Sequence, residues 1–362
     1  MSGVWVQRTR AARLFREHTG AANYRLNTLV VGLEAVKRGI AQKPADLAVR
    51  WETQDAATAA ELARSFTTNA IMVYVVDALD SYMADLASSD IWIADPTTAS
   101  ILRGEFQTDR SDVVALSPRL VREFAHQITS LTESPINLEE TLREFAAKHF
   151  GRRKRPSLRA RFTSLATVAS TVQAPYDLAI QLLISWRNRH AHGRSTDRLS
   201  NQALSGLREA SSFFYENHAH LDVARMIENY ELGGAPTLKE VSSLISICHR
   251  VVASIDIAIL NRADAHQAFM AALRTSFASE TSPGGRIKEY WGRSIEARQS
   301  KLVAMTSRFG FREFSETDTS SKPLCLSAQQ LRAIAELDRE DFADQVGVMI
   351  ASGQARRRPV VR

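Results

Sequence analysis

Only two cysteines, Cys248 and Cys325, occur in the 362-residue chain, far apart and in no Cys-x-x-Cys arrangement. That excludes a disulfide framework and a zinc knuckle, and leaves both as small apolar side chains. Long hydrophobic runs are also missing. Ala70–Val76, Leu178–Trp186 and Val251–Leu260 are each broken by polar or charged residues well short of the roughly 20 apolar residues that span a bilayer, so no transmembrane helix and no membrane partner are expected. Arg8, Arg10, Arg13 and Arg16 are followed by no apolar segment, which argues against a secretory signal and for a cytoplasmic location. Catalytic devices with strong signatures are absent too: no Gly-rich phosphate loop ending in Lys-Ser/Thr, no Gly-x-Ser-x-Gly elbow, no His-Glu-x-x-His helix. Glu139-Glu140 and the acids Asp338, Glu340 and Asp341 stand at helix starts, where the helix dipole favours them for structural reasons. His218-Ala219-His220 has no third clustered ligand, so neither a metal nor another cofactor is expected.

What is present is the composition of a folding protein, 44% hydrophobic and 24% charged, with room for more than one domain. Almost every segment shows helical rather than strand periodicity. A first helix is expected over 13–39, with Leu14, Leu26, Leu29, Val30, Leu33 and Val36 inward. A second runs over 53–86 with Leu62, Phe66, Val73, Val76, Leu79, Tyr82 and Met83 on one broad face, and Asp95-Pro96 closes that region. Residues 97–117 read as loop. Helices follow from Ser117-Pro118 and from the capping-box spacing at Asn137-Leu138-Glu139-Glu140, then over 157–172 and 174–191. Gly193 is expected to cap the last of these, and Thr196 or Asp197 to start the next. Gly233-Gly234-Ala235-Pro236 is the clearest break. It separates a helical bundle (53–232), preceded by an N-terminal helical segment (1–52), from a C-terminal helical region (236–362). In the last, Thr237-Leu238-Lys239-Glu240 opens a helix to Leu260, further helices cover about 286–308 and 327–351, and Phe309–Pro323 is a short hairpin or loop.

The net charge of +6 is concentrated at Arg152, Arg153, Lys154 and Arg155 with Arg159 and Arg161, and in the terminal run from Arg356. Clustered Arg and Lys suits a phosphate backbone, because each contact releases condensed counterions. The terminal run reads as a solubilising tail. The densest chemistry lies elsewhere, at Trp186-Arg187-Asn188-Arg189-His190-Ala191-His192-Gly193, the polar end of an apolar helix. The bland interpretation has both arginines facing solvent and both histidines bonded to carbonyls. The functional one notes that imidazole titrates near neutrality and moves protons, while a guanidinium holds a phosphate and offsets the charge that builds on it.

Arg187-Asn188, three further residues, then His192-Gly193 resembles the signature of the HEPN superfamily, in which four to six residues separate an Arg from a following His on a late helix of an all-α bundle. The resemblance implies an all-α fold of HEPN type with an additional C-terminal helical region. It also implies a metal-independent endoribonuclease that leaves 2′,3′-cyclic phosphate ends, acts as a homodimer with two motifs meeting across the two-fold axis, and serves a toxin-antitoxin or phage-defence system beside an antitoxin or other partner protein. On that basis Arg187 binds the phosphate, His192 is the general acid or base, and Asn188 orients. An earlier acidic residue, Asp77 or Asp80, is expected to hold the arginine. RNA would be guided by Arg152, Arg153, Lys154, Arg155, Arg159 and Arg189. At about 100° per residue Arg187 and His192 point roughly 140° apart on a continuous helix, whereas His190 lies within about 60° of Arg187, so His190 is held as a helper. Two other readings stay open: a HEPN-like module that binds RNA or nucleotide, or serves as an adaptor, without catalysis; and a basic helical regulator of nucleic acid.

Overall fold

A computed structural model describes residues 3–6, 8–41, 43–49, 55–88, 91–105, 107–108, 153–191, 197–278, 280–306, 311–314 and 325–348. Helix dominates it. Long α1 (Arg10–Lys37) and α2 (Ala56–Leu86) lie against each other, followed by α3 (Pro96–Leu102), α4 (Leu158–Ala169), α5 (Ala174–Ala191), α6 (Asn201–Glu209), α7 (Ser211–Asn217), α8 (Val223–Glu231) and α9 (Leu238–Leu260). Beyond them come α10 (Ala265–Ala278), α11 (Pro283–Trp291), α12 (Ile295–Thr306), α13 (Ala328–Glu336) and α14 (Arg339–Gln345). Five short strands complete the described elements: β1 (Gly3–Val6), β2 (Gln107–Thr108), β3 (Arg153–Lys154), β4 (Phe311–Phe314) and β5 (Cys325–Leu326).

Local chemistry accounts for the helix starts. Thr9, Asp55, Ser157, Ser200, Asp222 and Thr237 each accept a backbone N–H of the first turn, and Thr237 with Glu240 completes the expected capping box. Asp95-Pro96 does the opposite of what the sequence suggested. Asp95 caps and Pro96 opens α3, which occupies part of the expected loop, because proline suits the first helical turn as well as it ends a preceding helix. Asp197 starts no helix; Ser200 does, three residues on. The expected helices between 118 and 150, the Asn137 capping box and the cap at Gly193 lie outside the described residues.

The apolar side chains form two clusters. The first joins α1 through α9 around Leu26, Val76, Leu79, Phe162, Ile180, Trp186, Ile227 and Leu244; the second joins Val6, Leu260, α10 to α14 and Leu326. The expected division at 233–236 is therefore corrected. Helix α9 buries fourteen residues, of which ten, from Val241 to Ile259, belong to the first cluster, while its last residue, Leu260, belongs to the second. The chain's start is divided as well: Val6 enters the second cluster and Ala11 the first. Strand β1 is central in an antiparallel sheet of order β4-β1-β5, pairing Trp5 with Arg312 on one side and Cys325 on the other. Among the described residues β4 pairs with β1, not with a neighbouring segment; the rest of the expected hairpin or loop at 309–323 lies outside them. Among the described residues α9 alone is long and apolar enough to cross a membrane, with mean hydropathy 1.7, and 67% of that window is buried inside the protein.

Burial also corrects two expected faces. Leu29 of α1 and Leu62 and Phe66 of α2 are exposed, while α1 buries Ala11, Ala12, Phe15, Thr19, Ala22 and Leu26 and α2 buries Ala60, Thr68 and, in its second half, Met72, Val75, Val76, Leu79, Tyr82, Met83 and Leu86 among others. The C-terminal turns of α1 and the N-terminal turns of α2 are joined by the Lys37–Glu61 and Arg64–Glu34 ion pairs.

Candidate functional site at the end of α5

Helix α5 runs through the first core, with every residue from Leu182 to Trp186 buried. Its last turn emerges among polar groups of α2, α4, the 197–199 segment and the α8–α9 turn. Arg187 leaves toward α2: its Nη2 donates to Asp77 Oδ1 at 2.8 Å, and its Nη1 donates to Asn188 Oδ1 at 3.2 Å. The Arg187 side chain is 22% exposed and Asp77 55%, so the pair opens to water from one side. Asn188 Nδ2 donates to Asp197 Oδ2 at 2.7 Å, and the other Asp197 oxygen holds Arg159 of α4. A chain of opposite polarity thus runs Asp77, Arg187, Asn188, Asp197, Arg159 across three helices and one loop.

The neighbouring residues turn the other way. Arg189 donates to the Tyr230 carbonyl and stacks its guanidinium 4.8 Å from that ring's centroid. Trp186 Nε1 donates to the Gly234 carbonyl at 3.0 Å, and His190 Nε2 bonds the same carbonyl at 3.2 Å, so the imidazole nitrogen there carries the proton. Burial holds His190 below the usual histidine range; the Gly234 bond opposes that shift and Arg189 adds to it. The glycines of this turn fit that approach. Gly233 has φ +76°, and a Cβ on Gly234 would stand 2.0 Å from Asn229 Oδ1. What reads in sequence as a linker is the closely packed seat of α5's end.

Of the acids put forward on α2, Asp77 meets Arg187. Asp80, three residues further on, instead meets Arg161, whose Nε donates to the Leu102 carbonyl at 2.9 Å. Arg161, counted with the basic segment, is buried and ties α2, α3 and α4 together. Arg159 is engaged by Asp197 and Arg189 by Tyr230; Arg155, which follows β3, is exposed. The side chains of Arg153 and Lys154, together with Arg152 and His192, lie outside the described residues. His190 and Arg187 share no partner among these bonds. No group of three or more His, Cys, Asp or Glu comes together among the described residues.

Asp197 is what sequence reading missed. Its position just before Ser200-Asn201 suggested a helix start, and no short spacing links it to Asn188 or Arg159. Tertiary bonds place it. Leu199 N–H donates to the Tyr230 hydroxyl at 3.2 Å, that hydroxyl meets Ser185 Oγ at 2.7 Å, and Ser185 donates to the Asp197 carbonyl at 3.2 Å. With Ser185 fully buried, the backbone at 197–199 is stitched to α5 and α8 at once.

Fold and site together define a predominantly helical protein with a polar cluster at the end of a buried helix. Comparisons with protein-family models, with curated proteins and with solved structures return no match.

Proposed function

We propose that the protein is a HEPN-type, metal-independent endoribonuclease of cytoplasmic location, serving a toxin-antitoxin or phage-defence system as a homodimer beside a partner protein. The observation that carries this reading is Arg187: a guanidinium at the end of a buried helix, gripped by Asp77 of α2 and Asn188 yet open on one side, with His192 following α5 by one residue in sequence. In this scheme Arg187 binds the scissile phosphate and offsets the charge that grows on its non-bridging oxygens. A neutral His192 imidazole takes the proton of the ribose 2′-hydroxyl, the 2′-oxygen attacks phosphorus, and the 5′-oxygen departs with a proton supplied by the imidazolium of the second copy. The products are a 2′,3′-cyclic phosphate and a 5′-hydroxyl, and the atoms balance without water or metal. Arg155 and the neighbouring basic residues steer the RNA backbone.

Arg187→Ala and His192→Ala are each expected to lower cleavage of single-stranded RNA by about 100-fold or more while the circular dichroism spectrum stays that of the wild type. Wild-type cleavage by both folded variants would refute the mechanism. Sedimentation of the same samples is expected to show a dimer, and full activity in a monomer would remove the two-fold site.

A second reading is favoured by the internal pairing of the cations: Asp77 occupies Arg187 and Asp197 occupies Arg159. Each carboxylate competes with phosphate, as suits a non-catalytic module that binds RNA or nucleotide, or acts as an adaptor. Binding of RNA with no cleavage dependent on Arg187 and His192 selects it.

A further inference from the structure

We propose that Asp197 is the positioning residue of this site, fixing the Asn188 carboxamide so that its oxygen, not its nitrogen, faces the Arg187 guanidinium. The catalytic half of this proposal rests on the ribonuclease reading above; the geometric half does not.

The argument is one of donors and acceptors. An ionised carboxylate only accepts and a guanidinium only donates, whereas a carboxamide does one at each end and has two orientations related by a flip. Asn188 stands between the two. With Nδ2 on Asp197 Oδ2 at 2.7 Å, Oδ1 accepts from Arg187 Nη1 at 3.2 Å. The flipped amide would set oxygen against carboxylate and N–H against guanidinium, losing both bonds and adding two repulsions. Without Asp197 only the weaker, longer contact to Arg187 selects between the orientations. Asp197 is itself held at both ends. Its second oxygen takes Arg159, and its carbonyl takes the buried Ser185 hydroxyl in the bond network that also includes Tyr230 and Leu199. The polarity then runs on without a break: Asp197 sets Asn188, Asn188 sets one edge of Arg187, and Asp77 Oδ1 fixes the other at 2.8 Å. A guanidinium pinned at Nη1 and Nη2 keeps one plane, and the plane decides where a phosphate oxygen sits. Arg187 is the only member assigned to the substrate; Asp197 acts through it.

The experiment compares Asp197→Ala, Asp197→Asn and Arg159→Ala with wild type in two measurements on the full-length protein. In single-turnover cleavage of a short single-stranded RNA, Asp197→Ala is expected to lower the maximal rate by about tenfold or more with half-saturation little changed. Asp197→Asn recovers most of that rate, because its own amide oxygen still accepts from Asn188. Because Arg159 is counted among the RNA-guiding residues, Arg159→Ala is read by the spectra alone: it removes the ion pair but leaves Asp197 Oδ2 to Asn188, so the Asn188 side-chain amide stays near its wild-type position, and a displacement as large as that in Asp197→Ala overturns the proposal. In the second measurement, nitrogen–proton correlation spectra, the Asn188 side-chain amide and Arg187 Nε–H resonances shift in Asp197→Ala and much less in Asp197→Asn. Unmoved resonances in a folded Asp197→Ala overturn the proposal whatever the activity. Moved resonances with unchanged cleavage, in an enzyme that Arg187→Ala inactivates, overturn its catalytic half. Should the alanine variant fail to fold, Asp197→Asn and Asn188→Asp decide: Asn188→Asp, which opposes two carboxylates, must shift Arg187 Nε–H and lose rate, while Asp197→Asn must not. If Arg187→Ala cleaves like wild type, the ribonuclease reading falls and the spectra alone judge Asp197.

Discussion

At the scale of single residues, two kinds of buried titratable group pull against each other as pH changes. Asp256 of α9 accepts the Thr9 N–H at 3.0 Å and the Thr9 hydroxyl, and so anchors the start of α1. Burial lifts its carboxyl to about 6, opposed by the two Thr9 bonds and by Arg8. An acid raised in the native state stabilises the fold fully below its unfolded value, 3.8, and that contribution is lost as pH rises through about 6. The histidines have the other sign. Burial lowers His190, His218 and His249, so their contribution is present above 6.5 and lost as pH falls through their native values. Asp256→Asn keeps an acceptor for Thr9 N–H, replaces the oxygen that takes the Thr9 hydroxyl by an NH2 donor at a cost that does not vary with pH, and removes the acid. Between pH 5 and 7.5 it is therefore expected to lose less stability than the wild type, by about 1 kcal/mol. The histidine contribution is common to both proteins and cancels. Urea unfolding at the two pH values checks this, and parallel pH dependences would contradict it.

At the scale of elements, α2 and α9 show how one helix serves several neighbours. Asp77 and Asp80, less than a turn apart on α2, grip arginines from two different helices, Arg187 of α5 and Arg161 of α4. Spacing shows that both acids lie near one another on α2; it does not show which arginine arrives at which. Helix α9 is more legible. Thr237 and Glu240 satisfy one another's backbone groups, and Glu240 also accepts from Asn229 Nδ2 at 3.2 Å, linking the start of α9 to α8. Thr237→Ala leaves the Glu240 N–H without its cap, and the expected cost is about 1 kcal/mol of unfolding free energy, read from the midpoint of a urea titration at pH 7.5. A midpoint equal to the wild type's would mean that packing on α5 alone sets this end of the helix.

At the scale of the whole molecule, the apolar clusters do not follow the order of the chain. Val6 serves the second core and Phe15 the first; α9 serves the first, although it follows the Gly233-Gly234 turn. A chain cut after Ala235 would lack Val241, Leu244, Ile247, Cys248, Val251 and Ile255, all nearly inaccessible to solvent, and would expose the faces of α1, α2 and α5 that they cover. The expected outcome is a product with helical far-ultraviolet circular dichroism but no cooperative thermal transition. A cooperative transition would restore the glycine turn as a domain boundary.

Helical periodicity by itself determined that the chain is predominantly helical, where α2, α5 and α9 run, and that the end of α5 concentrates charge, because a buried helix repeats its apolar side chains and a capping residue announces its start. Composition gave no warning of β1, whose four residues become a strand only by pairing with β4 and β5 from more than 300 positions away. The Arg187, Asn188 and Asp77 members of the site were legible as candidates, Asp77 no better than Asp80. Asp197 was not, since its place depends on Ser185, Tyr230 and Arg159 arriving from three other elements. Which carboxylate meets which arginine, and which glycine turn is a seat rather than a hinge, are settled by contacts between residues distant in sequence. Local pattern carries no trace of those contacts, because hydrogen bonds and burial act on distance in space.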